Sequence, residues 1–144
     1  MIILDANVVV ALQREDHVHY RVARSWLDRL LDDGQSFGVP AMIWSSFVRL
    51  TTDPRIFGSS PTPVLEAFLF VHDVLVQPGY QPVEPGPLHL GIAETMCRGA
   101  DARGKLVPDA FLAAVAIENA ATVASFDRDF ARFDGLDWII PAAP

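Results

Sequence analysis

Three aspartates stand where a chain could bring acids to one place. Asp5 follows the apolar run Ile2-Ile-Leu4, Asp109 opens the apolar stretch Ala110-Phe-Leu-Ala-Ala-Val-Ala-Ile117, and Asp127 follows Ala121-Thr-Val-Ala-Ser125, with Asp129 close behind. Each alone has an ordinary structural use, because Asp caps helices and forms turns after strands. Together they suggest a shared site. Carboxylates a few ångströms apart cannot all stay ionised unaided, and the hard oxygen donors they offer suit a divalent cation such as Mg2+. A cation held in this way lowers the pKa of a coordinated water and neutralises charge on a phosphate, so phosphodiester hydrolysis needs no protein nucleophile.

The elements that must position these acids can be read from periodicity. Met1 to Leu4 is a short buried strand, and a parallel sheet gathers such strand ends at one edge, where ligands bind. After Asn7, Val8 to Leu12 reads as a short helix. A second helix runs from about His19 to Asp32, with Val22, Trp26, Leu27, Leu30 and Leu31 at helical spacing, and Gly34 follows its end. Ser36 to Val39 is a short strand. Pro40 starts a helix from Ala41 to about Thr51, and Asp53-Pro54 stops it. The helix from Val64 to Val76 carries the apolar stripe Leu65, Phe68, Leu69, His72 and Leu75. The proline-rich run from Tyr80 to Pro87 allows only a brief extended segment at Gln81 to Val83. A helix from Leu88 to about Arg98 precedes the loop from Ala100 to Val107. Pro108 and Asp109 then open a helix apolar nearly all round, which must be buried. On this reading Asp109 is the second helical residue, too far in to be the cap. Ala121 to Ser125 is a second buried strand, Phe130 to Phe133 a helical turn, and Asp137 to Ile140 a last short strand. Strands alternating with helices predict an α/β fold with a parallel sheet covered by helices.

Composition narrows the function classes. At 144 residues and 51% hydrophobic content, the chain suits one domain, 1–144, with a real core. The net charge is -7, and Lys105 is the sole lysine among basic residues that are otherwise arginines. Such a chain is a poor general nucleic-acid coat, since non-specific binding neutralises phosphates. An acidic pocket that holds a cation escapes this objection, because the ion reverses the local field. The single cysteine, Cys97, excludes an internal disulfide and a cysteine-rich zinc site. His17, His19, His72 and His89 lack metal-ligand spacing. No apolar run approaches about 18 residues and no basic leader precedes the first strand, so a cytoplasmic protein with no membrane association is expected.

The ordered set Ile3-Leu-Asp5-Ala-Asn7, Phe47-Val-Arg49-Leu, Pro108-Asp109 with its apolar helix to Glu118, and Ser125-Phe-Asp127-Arg-Asp129 resembles a PIN domain. More narrowly, the whole chain is similar to VapC toxins of bacterial VapBC toxin–antitoxin systems. The resemblance implies a Rossmann-like α/β/α fold with a central parallel sheet of four to five short strands. It also implies an Mg2+- or Mn2+-dependent ribonuclease acting on tRNA, rRNA or mRNA, a homodimer, and a VapB antitoxin that blocks the acidic pocket with a basic side chain. Asp5, Asp109 and Asp127 match the family's catalytic, metal-holding acids, and Asp129 assists directly or through water. Asn7 and Ser125 match supporting positions. The departure is Ser46, which stands where PIN domains usually carry Glu; it brings a hydroxyl but no charge, which favours a single tightly held metal.

Arg49, Arg98, Arg103, Lys105, Arg128 and Arg132 are candidates for a positive rim that holds RNA phosphates, each balanced by the plainer reading of a solvated surface charge. A haloacid dehalogenase-type phosphatase needs a second acid two residues after the first, where this chain has Asn7. A receiver domain needs a strand-end lysine, whereas Lys105 lies in a loop. The serious alternative is a catalytically weak or inactive PIN-like domain that binds RNA or an antitoxin without cutting.

Overall fold

The computed structural model describes residues 1–143. Its centre is a sheet of four parallel strands in the order β2-β1-β3-β4: β1 (Ile2–Leu4), β2 (Phe37–Gly38), β3 (Thr122–Ala124) and β4 (Trp138–Ile139). The two central strands are almost wholly buried and made largely of β-branched and small residues, as a strand covered on both faces requires. Their register pairs Ile2 with Thr122 and Leu4 with Ala124. Asp5 and Ser125 therefore leave the sheet side by side.

Among the described residues, seven α-helices surround the sheet: α1 (Ala6–Gln13), α2 (Tyr20–Asp32), α3 (Ala41–Thr51), α4 (Pro54–Phe57), α5 (Val64–Leu75), α6 (His89–Gly99) and α7 (Leu106–Glu118). They pack in two groups. α1 lies against α2 and α3, with α5 on α3, whereas α6 packs along α7 and α7 on β3. Helix α7 has a wholly buried run, Leu112 to Ala116, which is why its sequence is apolar all round. One apolar cluster joins both groups through Ile3, Leu4, Val8, Phe47, Leu112 and Val123. No helix among the described residues is long and apolar enough to cross a membrane.

Several boundaries differ from the sequence reading. α1 starts at Ala6, two residues early, because the Asp5 carboxylate accepts from the Ala6 N–H and caps the helix. α7 starts at Leu106, so Asp109 is its fourth residue instead of its second. Pro108 is tolerated there because first-turn N–H groups have no partner inside the helix. Pro54 ends α3 and also opens α4, with Asp53 capping the Arg55 N–H at 2.9 Å. The extended segment forms one residue early, as a parallel bridge between Tyr80 and Phe37. On α5 the stripe read from sequence faces outward, while Ala67 and Val71 are the residues that reach the core.

Candidate metal and active site

The carboxyl ends of β1 and β3 and the first turn of α7 converge on a cleft of about 440 Å3. Asp5, Asn7, Ser46, Arg49, Lys105, Asp109 and Asp127 line it, with Met42, Leu50, Pro108 and Leu112 among the apolar residues of its wall. Residues more than a hundred positions apart thus share one opening.

Asp5 is the most constrained acid. It is 7% exposed, its Oδ1 accepts from Ala6 N–H at 2.6 Å, and its Oδ2 accepts from the Ser125 hydroxyl at 2.6 Å. Ser125 Oγ also accepts from the Asp127 N–H at 3.0 Å and from Asn7 Nδ2 at 2.9 Å. Asn7 closes the ring, its Oδ1 accepting from the Phe126 N–H at 3.1 Å. One hydroxyl and one amide therefore tie the ends of both central strands together. Asp127 caps the following 3-10 turn (Arg128–Arg132), its Oδ1 accepting from the Asp129 N–H at 2.9 Å.

The electrostatics mark a site short of positive charge. Burial pushes the Asp5 carboxyl above its usual range against the pull of its two hydrogen bonds, and the Asp127 charge adds to the rise. Burial also pushes Asp109 up to about 7, reinforced by the charges of Asp5, Asp127 and Asp129 and opposed only by Lys105. Asp109 thus feels the charge of the other three acids. Among the described residues, no three His, Cys, Asp or Glu side chains are gathered into a ready ligand set. The donor set still fits a hard divalent cation: all its charged members are carboxylates, and they face a common cleft.

The other candidates divide into two groups. Ser46 lines the cleft while its hydroxyl donates to the Met42 carbonyl one turn back at 3.1 Å. Arg49 and Lys105 stand at the cleft, Lys105 being 4.0 Å from Asp129. Arg98 is engaged with Glu94, Arg103 with Asp101, and Arg132 with the Ala100 carbonyl at 2.8 Å, so these three carry local contacts. Arg128 is exposed on the 3-10 turn beside Asp127. Met42, Leu50 and Leu112 were not singled out from sequence, because apolar residues on helices carry no signal that they face a cleft instead of the core.

Residues 2–136 match the model of the PIN domain family. The chain is 49% identical to Ribonuclease VapC31 of Mycobacterium tuberculosis over 141 residues, covering 98% of this chain and 99% of that protein. It is 48% identical to Ribonuclease VapC25 of the same species over the same length. Among solved structures, VapBC2 of Rickettsia felis, bound to a DNA fragment from their promoter, aligns with a TM-score of 0.73 at 13% identity, covering 97% of this chain and 98% of that one. The Sarcin-Ricin loop cleaving toxin VapC20 of Mycobacterium tuberculosis aligns with a TM-score of 0.65 at 16% identity, over 91% of this chain and 93% of that one.

Proposed function

The chain belongs to the PIN domain family, among the VapC ribonucleases, and on that premise we propose that it is a toxin that cleaves RNA at the acidic cleft with the help of Mg2+ or Mn2+. The observation that carries this reading is the meeting of Asp5, Asp109 and Asp127 at one opening, with Asp109 pushed up to about 7 by burial and by its neighbours' charge. Asp5, Asp109 and Asp127 would hold the cation, with Asp129 at the edge. A bound cation supplies a Lewis acid that activates water and offsets phosphate charge. Three carboxylates with Ser46 in the fourth place balance one divalent cation, so we read the site as holding a single metal.

The remaining work falls to the chain's own side chains. Ser125 and Ala6 hold both Asp5 oxygens in place, so this acid needs little reorganisation. Asp109 must give up its proton before it can serve as a ligand. Arg49 and Lys105, beside the acids, offer charges that position a phosphate backbone.

A VapB-type antitoxin is the proposed partner, because VapBC complexes are among the structural neighbours. On this reading the antitoxin blocks the acidic cleft lined by Asp5, Asp109 and Asp127 with a basic side chain. We also propose a homodimer, supported by the outward apolar face of α5.

The test is cleavage of total RNA and tRNA with Mg2+, Mn2+ or EDTA. Discrete products are expected with either metal and none with EDTA, and Asp109→Asn should lower the rate by about a hundredfold or more. A folded wild-type protein that binds Mn2+ yet cuts nothing would favour the non-cutting alternative, in which the missing charge at Ser46 abolishes turnover.

A further inference from the structure

The loop between α1 and α2 reaches the site without contributing an acid to it. The His19 ring lies nearly parallel to the Phe126 ring, centroids 4.2 Å apart and planes 15° apart. The loop beneath His19 is itself fixed: His17 N–H donates to the Arg14 carbonyl at 3.0 Å, and Tyr20 N–H to the His17 carbonyl at 2.9 Å. His17 Nδ1 accepts from the His19 backbone N–H at 3.1 Å. His19 therefore presents its ring from an anchored turn.

Phe126 is the residue between Ser125 and Asp127, so its conformation fixes the backbone from which the Asp127 side chain leaves, while the Asp129 N–H holds that carboxylate at Oδ1. Its N–H is held by Asn7 and its ring by His19. The Asp127 N–H is held by Ser125. Without the His19 ring, the Phe126 side chain would lose one of its walls, and the Ser125 to Asp127 turn would rely on hydrogen bonds alone, among them Asp129 N–H to Asp127 Oδ1 and Ser125 N–H to the Ile139 carbonyl. Both rings are half-buried, so their contact adds only about 0.5–1.5 kcal/mol to stability. Its larger effect falls on geometry.

We propose that His19 is a positioning residue for Asp127: stacked on Phe126, it fixes the turn that aims Asp127 into the cleft shared with Asp5 and Asp109. The inference rests on the metal-site reading above and adds a residue from a loop that contributes nothing to the cleft lining. The role belongs to the flat ring stacked on Phe126.

Mn2+ binding measured by calorimetry tests this, alongside metal-free thermal melting and steady-state RNA cleavage. Outer partners of metal ligands typically change affinity by about 10–100-fold, and His19→Ala is expected at the low end, roughly tenfold weaker. It should lower kcat with KM for RNA nearly unchanged, while the metal-free Tm moves by no more than about 4 °C. His19→Phe, which restores a flat ring, should recover the Mn2+ affinity. Wild-type affinity in His19→Ala overturns the proposal, as does a folded His19→Phe that fails to recover it. A metal-free Tm that collapses in His19→Ala, with Mn2+ affinity unchanged where the protein is folded, assigns the ring to stability alone. Failure of the wild type to bind Mn2+ removes the metal-site reading itself, an outcome distinct from these.

Discussion

Asp109 concentrates the chemistry of this molecule in one carboxyl group. Its folded pKa, about 7, lies above the ordinary value of 3.8, so folding is favoured by its proton. The sign follows directly. The contribution to stability is fully present below about pH 4 and is lost as pH rises through about 7. In EDTA, Asp109→Asn should therefore raise the Tm at pH 8, by a gain discounted to about 1–2 kcal/mol because the group is partly exposed, and should change little at pH 4. Thermal melts at both pH values check this, and equal melting of the two proteins at pH 8 would contradict it. The acids could be picked out in the sequence, Asp5 and Asp127 after strands and Asp109 at the start of a buried helix. Their mutual repulsion could not, because it depends on distances across more than a hundred residues.

At the scale of elements, the end of α7 carries a visible cost. Ala121 N–H bonds the Ala116 carbonyl at 2.9 Å and Ala120 N–H the Ile117 carbonyl at 3.2 Å, the pairing of a Schellman turn. The residue in the left-handed position is Ala120, with φ of 48°, where a side chain is disfavoured. Ala120 is exposed, so nothing packs on its methyl group tightly enough to offset this. Ala120→Gly should stabilise the protein by about 1 kcal/mol in denaturant unfolding, with RNA cleavage unchanged. The start of the same helix teaches a related lesson. Proline before Asp109 argues for a start at Pro108, yet Leu106 is 5% exposed and its burial draws the helix back over one more half-turn. Tertiary packing overrode the local rule.

For the whole molecule, the outer face of α5 is the feature a monomer leaves unexplained. Leu65 is 73% exposed, Phe68 46% and Leu69 54%, on a helix whose other face already packs inward through Ala67 and Val71. Contiguous apolar surface of this kind marks an interface. Copies carrying a net charge of -7 repel one another, and this largely uncharged stripe is where they can meet at least cost. If the proposed homodimer forms through this face, the wild type should scatter at about twice the monomer mass of 15.8 kDa and Phe68→Glu near that mass itself, with the fold retained by circular dichroism. A wild type at the monomer mass would overturn the homodimer, and a dimer that Phe68→Glu leaves intact would overturn this face as its contact.

What the sequence determined by itself is the alternation of buried strands and amphipathic helices, and with it a parallel sheet whose edge carries Asp5 and Ser125. These follow from local periodicity and from residue types that have few other uses, so they survive without knowledge of the partner strand. The tertiary structure alone decided which face of α5 is buried, since an apolar stripe looks the same whether it meets a core or a second molecule. It also decided that His19 lies on Phe126 and that Asn7 ties Phe126 to Ser125. Such contacts join residues with no common period, and only the closure of the chain on itself brings them within hydrogen-bonding and stacking distance.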